Sequence, residues 1–257
     1  MDTPATIPIP RYHRWLPFWA VLQTDLRQTL RSWVWRTWVL AVVSSSIGFL
    51  LYRFGVSREA KILQGASVLV GDLMRWTVLG SVTLVVLLTV GAIASERGTL
   101  ADAVLSRGIS RYQYFLAKLH ARLATVLVTF VVLSALVLTS SHFLLHEDLS
   151  MLGCLVAVTA MAVILTLVVS CGVTIGALSG STAVGVGVLW LSLYASGFVL
   201  SFLPARYPTP DRVLAMLPQI LRGEFDWLAL KQMMQVGLVS SAVMALVGMI
   251  GFSRSDV

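Results

Sequence analysis

Long runs without charge dominate the chain. No charged residue lies in residues 123–141, and none lies in residues 151–203. An α-helix needs about 20 mostly apolar residues to cross the roughly 30 Å hydrocarbon core of a bilayer. The second run would form a single helix about 80 Å long, so we expect it to fold back once. This pattern predicts an all-α, polytopic membrane protein.

Turn-forming residues and charges divide the apolar runs into six predicted spans. The long run is best broken between Leu178 and Thr182, where serine and glycine are concentrated. Prolines end the span that follows, because proline removes a helix hydrogen bond. The six predicted spans are residues 33–52, 76–95, 119–141, 151–178, 182–203 and 229–252. They leave a polar loop at residues 96–118, and a segment at residues 204–228 that is predicted to hold short amphipathic or re-entrant helices interrupted at Pro218.

The segment before the first span, within residues 1–32, has a helical period of its own. Its apolar residues recur at three- and four-residue steps and cover an arc of about 120°. They are Trp15, Phe18, Trp19, Leu22, Leu26 and Leu30. Arginines lie away from this arc, so we predict a basic amphipathic helix that lies in the membrane interface and turns sharply into the first span. The alternative is a plain extension of that span.

Composition and charge exclude a soluble protein and predict an orientation. Only 12% of the residues are charged, whereas soluble domains have about a quarter. With six spans both termini lie on the side of the loop at residues 96–118, and this side has more Lys and Arg than the other. Both termini are therefore predicted to be cytoplasmic. The net charge of +7 fits this topology and anionic membrane lipids, and no nucleic-acid partner is needed to explain it.

Residues for catalysis or metal binding are not grouped in any recognisable motif. Cys154 and Cys171 would lie about 25 Å apart on one helix, too far for a disulfide, and are interpreted as packing residues. The histidines are scattered, and the chain has no G-x-x-x-x-G-K-[ST] loop for binding phosphates. We therefore expect no catalytic residue, metal site or cofactor in this chain.

The loop at residues 96–118 is the most informative polar segment. Gly98 and Gly108 bracket a predicted short helix, which would lie across the ends of the second and third spans. Ser110 is placed to cap the helix that continues into the third span. A short helix between two glycine joints would act as a lever, because a partner that pushes it moves both spans.

Four pieces of this loop resemble a known signature. They are Glu96–Arg97–Gly98–Thr99–Leu100, Leu105–Ser106, Ile109–Ser110–Arg111 and Lys118. In this order they resemble the signature loop of type-2 ATP-binding-cassette permeases, although Gly108 and Ala117 stand where the family has Pro and Gly. The helix before span one, the short turn between spans four and five, and the ending at residues 252–256 resemble the family too. Within it the chain is similar to the short permeases of nitrous-oxide-reductase maturation and gliding-motility systems.

The resemblance implies a function and a set of partners. Such a chain does not hydrolyse ATP; it pairs with a nucleotide-binding ATPase subunit, which binds ATP and Mg²⁺, and with a second permease copy, identical or different. Residues 101–109 would be the coupling helix, and residues 179–182 a minor second contact. The implied ATPase-coupling residues are Glu96, Arg97, Gly98, Thr99, Leu100, Asp102, Leu105, Ser110, Arg111 and Lys118. Export across the plasma (bacterial inner) membrane is expected, and a non-transporting scaffold or lipid-interacting subunit is the alternative.

Two periodic patterns within the spans suggest packing or transport roles. Gly172, Gly176 and Gly180 recur every four residues and predict close helix packing, either within the chain or with a second copy. An aromatic stripe on the fifth span consists of Trp190, Tyr194, Phe198 and Phe202. It is interpreted either as packing against lipid or a neighbour, or as the wall of a path for an apolar or amphipathic substrate.

Overall fold

The computed structural model describes residues 15–60, 65–96, 109–144, 149–202 and 209–254. Within these ranges every regular element is an α-helix. In chain order they are α1 (Leu16–Arg31), α2 (Trp33–Ala60), α3 (Ala66–Ala94), α4 (Arg111–Leu144), α5 (Met151–Leu178), α6 (Thr182–Ser201), α7 (Pro210–Arg222) and α8 (Trp227–Arg254). Six of them, all but α1 and α7, are long and apolar enough to cross a membrane. The chain is a multi-pass membrane protein, and the prediction of an all-α polytopic fold is confirmed.

Several helices begin or end away from the predicted span boundaries. α3 begins at Ala66 rather than at residue 76, and α4 begins at Arg111 rather than at residue 119. Both predicted starts were placed beside charges, which a lipid-facing helix avoids. Lys118 lies inside α4 because carboxylates pair with its charge. The turn between α5 and α6 lies at residues 179–181, within the predicted break.

Helix α5 is the centre of the bundle and packs against α3, α4, α6, α7 and α8. Small residues allow the close approach of α3: a Cβ atom added at Gly176 would lie 2.4 Å from the carbonyl oxygen of Val90. On another side of α5, Thr174 donates a hydrogen bond to the carbonyl oxygen of Met244 on α8, at 2.8 Å. These contacts account for the many buried residues of α5. They fit its sequence, which is apolar on every side of the helix.

One end of the bundle gathers Glu96, residues 109–118 and the last turn of α8. The ring of Tyr114 stacks on that of Phe252 with 6.0 Å between centroids. Arg111 donates a hydrogen bond to the carbonyl oxygen of Ser253 at 3.2 Å. A Cβ at Gly251 would meet the side chain of Leu178, which places the turn between α5 and α6 at this end as well. We call this end, with residues 96, 111 and 252, the loop end.

Helix α7 covers the opposite end, which we call the cap end. Its apolar side is buried against α3 and α5. Gly153 brings the backbones together, since a Cβ there would lie 2.2 Å from the carbonyl oxygen of Ile220. The amide of Ser150 donates to the carbonyl oxygen of Leu221 at 2.9 Å. The prediction that Pro218 interrupts this segment is wrong: Pro218 lies inside α7, with its ring against Gly71.

Candidate functional site

The first helix carries a buried acid. Asp25 and Thr29 lie one turn apart on the side of α1 that packs against α4, and they are 2% and 1% exposed. Phe18 lies on the same side and meets the ring of His120 edge-to-face at 5.9 Å. α1 ends at Arg31, and a single residue, Ser32, in an extended conformation separates it from α2. The predicted helix before the first span is therefore present, and one of its sides faces protein.

Asp25 belongs to a group of five side chains at the loop end, which we call the ion-pair cluster: Asp25, Glu96, Tyr114, Lys118 and Arg122. Lys118 Nζ lies 2.7 Å from both Asp25 Oδ1 and Glu96 Oε1. Arg122 Nη2 lies 3.2 Å from the same Asp25 oxygen. The hydroxyl of Tyr114 donates to Glu96 Oε2 at 2.5 Å. Two carboxylates thus balance two cations in a place almost closed to solvent.

The cluster is well paired but not fully hydrogen-bonded. Arg122 also donates to the hydroxyl of Thr29, yet its Nε atom and Asp25 Oδ2 are buried without a hydrogen-bond partner in the described part of the chain. Removing one member of a buried ion pair leaves the other uncompensated and costs about 3–5 kcal/mol. The cluster therefore stabilises the arrangement of the helices that supply it.

Three parts of the chain meet in this cluster: α1, Glu96 after α3, and α4. Glu96 directly precedes residues 97–108, and α4 follows them. At the start of α4 the amide of Gln113 donates to Ser110 Oγ at 3.2 Å, and Gln113 Oε1 accepts from the Ser110 amide. This capping box fixes the first turn of α4, as the position of Ser110 predicts. Glu96 is therefore attached to α4 through Tyr114 and Lys118, Ser110 is attached to α4 by its cap, and Lys118 links this end of α4 to Asp25 of α1.

The implied ATPase-coupling residues fall into three groups. Arg97, Gly98, Thr99, Leu100, Asp102 and Leu105 lie outside the described residues, as does the predicted coupling helix. Glu96 and Lys118 contact each other, and Lys118 is only 3% exposed. Ser110 is exposed at the start of α4, and the next residue, Arg111, is partly buried and donates to the carbonyl oxygen of Ser253. Lys118 is thus too deeply buried to touch a partner in this conformation, and it holds α1 and Glu96 instead.

Sequence reasoning missed Asp25, Tyr114 and Arg122. A signal for Asp25 was present, because it is the only acid between residues 3 and 58 and lies seven residues after Phe18 on the same helical side. The two cations that pair with Asp25 were harder to predict. Lys118 and Arg122 are one turn apart in a basic stretch, and no sequence pattern shows which helix packs against them.

The glycine pattern of α5 is divided between two environments. A Cβ at Gly172 would lie 2.1 Å from Thr89 Oγ1, and one at Gly176 would meet the α3 backbone. Both glycines therefore pack within the chain, against α3. A Cβ at Gly180 would have no atom within 4 Å, so Gly180, which lies in the turn after α5, does not share their packing role.

The aromatic stripe of α6 points away from the bundle. Trp190 is half-buried against the core. Tyr194, Phe198 and Phe202 are 79%, 66% and 73% exposed. Within the described part of one chain these three residues therefore line no internal passage, and any wall that they form must be completed by other groups.

A shallow apolar groove lies between α2, α3 and α4. Trp38, Val42, Met74 and Phe130 are among the residues that line it, and none of its lining residues is charged. The indole of Trp38 donates to Ser81 Oγ at 2.8 Å, so its polar atom is used within the wall. The groove offers mainly hydrocarbon contacts, together with the hydroxyls of Thr77, Ser81 and Ser134, and no side chain that would form an ion pair with a ligand.

No protein-family model matches the chain, and no curated protein matches it.

Proposed function

We propose that the chain is the transmembrane permease subunit of an ATP-binding-cassette transporter. It contributes the membrane path, and a separate nucleotide-binding ATPase subunit binds ATP and Mg²⁺ at the loop end. The six apolar helices and the resemblance of the loop at residues 96–118 support this proposal. The observation that carries it is the ion-pair cluster, in which Lys118 joins Glu96, at the start of that loop, to Asp25 of α1.

In this mechanism the cluster acts as a rigid joint. An ATPase that pushes on the loop displaces the end of α3 through Glu96 and the start of α4 through Ser110. Lys118 carries the displacement to Asp25, so α1 moves with them. Because one broken pair would cost about 3–5 kcal/mol, the three helices move together rather than separately.

The proposed orientation places the loop end in the cytoplasm of a plasma (bacterial inner) membrane, with both termini on that side. The substrate is apolar or amphipathic, export is the expected direction, and two permease copies, identical or different, flank the path. The aromatic stripe of α6 would line the path between the copies, since within one chain it faces outwards. Loss of transport in a Trp190→Ala/Tyr194→Ala chain that still folds would support this wall, and unchanged transport would contradict it.

Copurification tests the proposed partnership. A tagged chain isolated from its native membrane should retain a subunit that mass spectrometry identifies as a Walker-motif ATPase, with Mg²⁺-dependent ATP hydrolysis in the same fraction. Glu96→Gln should lower that hydrolysis at least fivefold, because it releases one end of the loop from the cluster. Glu224→Gln removes an exposed acid near the cap end and is the matched control.

Two results would overturn the proposal. One is a fraction that contains the intact chain and no such ATPase, which would favour the alternative of a membrane scaffold. The other is equal hydrolysis with Glu96→Gln and Glu224→Gln, which would show that the cluster does not transmit force.

A further inference from the structure

Helix α1 has two exposed sides besides the one that packs on α4. One is apolar and carries Trp15, Leu16 and Trp19, which are 54%, 60% and 62% exposed. The other carries Arg27 and Arg31, both exposed and one helical turn apart. One part of the apolar arc predicted from sequence therefore packs against α4, and the other part is exposed on the outside of the bundle.

A third exposed arginine follows α1 after Ser32. Arg36 is exposed in the first turns of α2, close to Trp33, which is 80% exposed. We call Arg27, Arg31 and Arg36 the arginine patch. Ion pairs in the described part of the chain involve none of the three. The nearest acid in sequence, Asp25, points to the opposite side of α1 and is paired with α4.

The surroundings of the patch indicate which anion it meets. Exposed tryptophans next to arginines are typical of the level where headgroups and acyl chains meet. At this level the apolar side of α1 fits acyl chains, and the guanidinium groups fit phosphate oxygens. An anionic leaflet attracts each Lys or Arg near its surface, and this attraction is largest where no protein carboxylate competes.

We propose that the arginine patch binds the headgroups of anionic phospholipids in the leaflet at the loop end, and that this binding holds α1 against α4. The bound lipid and Asp25 lie on opposite sides of the same helix. A lipid that restrains α1 from outside therefore favours the state in which Asp25 reaches Lys118 and Arg122. The protein would respond to the anionic lipid content of its membrane through the ion-pair cluster. This proposal requires a membrane-spanning chain and does not require the ATPase.

A lipid titration of the purified chain in detergent tests the binding. Phosphatidylglycerol should raise the midpoint of thermal unfolding, and phosphatidylcholine at the same concentration should not. Arg27→Gln/Arg31→Gln should raise the phosphatidylglycerol concentration needed for half of the shift about tenfold, because each cation contributes about a factor of several at an anionic surface. Arg27→Lys/Arg31→Lys keeps the charges and should retain most of the shift.

The matched control removes the same charge elsewhere. Arg75 and Arg254 are exposed arginines outside the patch, so Arg75→Gln/Arg254→Gln should titrate like the unmodified chain. Equal weakening in both double variants would show a response to net charge alone and would overturn the proposal. An equal shift with inorganic phosphate would also overturn it, because a free ion would then suffice.

Hydrogen exchange tests the restraint of α1. Amides of residues 22–31 should exchange several-fold more slowly in nanodiscs containing phosphatidylglycerol than in nanodiscs of phosphatidylcholine. The difference should vanish in Arg27→Gln/Arg31→Gln. Equal exchange rates in the two kinds of nanodisc would refute the link between the patch and the cluster. Because no ATPase is present, this failure would leave the proposed transport function untouched.

Discussion

Asp25 Oδ1 is shared by two cations, Lys118 and Arg122, while the second carboxylate oxygen has no partner in the described residues. Asp25 is therefore the carboxylate that pairs directly with both cations of the cluster. Glu96 remains next to Lys118 if Asp25 is lost, whereas Arg122 forms its only ion pair in the described residues with Asp25. Loss of the Asp25 charge thus leaves a buried guanidinium without a directly paired carboxylate.

Replacing Asp25 tests the buried charge balance. Asp25→Asn should destabilise the folded chain by about 3–5 kcal/mol, seen as a lower midpoint of thermal unfolding in detergent. Asp25→Leu/Arg122→Met removes one charge of each sign. Its loss of stability should be smaller than the sum of the losses for Asp25→Leu and Arg122→Met measured singly. A double variant as unstable as that sum would mean that the two residues are not coupled.

The glycines of α5 provide a second test at single positions. Gly176→Ala forces a methyl group into the α3 backbone and should cost about 1–3 kcal/mol. Gly180→Ala adds the same group where no atom lies within 4 Å and should leave the unfolding midpoint within error of the unmodified chain. Equal effects at both positions would contradict the observed packing of α5 against α3.

At the level of elements, α7 shows how a short amphipathic helix closes one end of the bundle. On the inner side of α7, Leu217 is fully buried, whereas the preceding residue, Met216, is 51% exposed. Leu217→Ala should destabilise the chain by about 2–5 kcal/mol, while Met216→Ala should change its stability by less than about 0.5 kcal/mol. Thermal unfolding of the two variants checks this difference. Equal losses would mean that α7 is not docked through its apolar side.

Helix α1 shows what periodicity can and cannot predict. The three- and four-residue steps of Trp15, Phe18 and Leu22 correctly indicated a helix. They did not show that Phe18 meets α4 while Trp15 stays exposed. In a membrane, lipid and protein neighbours are both apolar, so the hydrophobic pattern alone does not separate them. The position of the single acid, Asp25, distinguishes the protein-facing side.

For the molecule as a whole, uncharged runs predicted the number of apolar helices because burying charge in hydrocarbon is costly. The same reasoning placed the starts of α3 and α4 too late. Charges are tolerated inside a helix when another element neutralises them, as Asp25 and Glu96 do for Lys118. Such pairing depends on tertiary contacts, which a span prediction from one sequence does not include. The partner ATPase and the substrate rest on the resemblance of the loop and remain proposals.

The loop end must face the cytoplasm if an ATPase is to reach it. A chain with Cys154 and Cys171 replaced by alanine provides the background for single cysteines at two exposed positions, Ser110→Cys at the loop end and Met216→Cys at the cap end. In intact cells a membrane-impermeant maleimide should label the Met216→Cys chain, and it should label the Ser110→Cys chain only after permeabilisation. Labelling of Ser110→Cys in intact cells, with Met216→Cys protected until permeabilisation, would contradict the account.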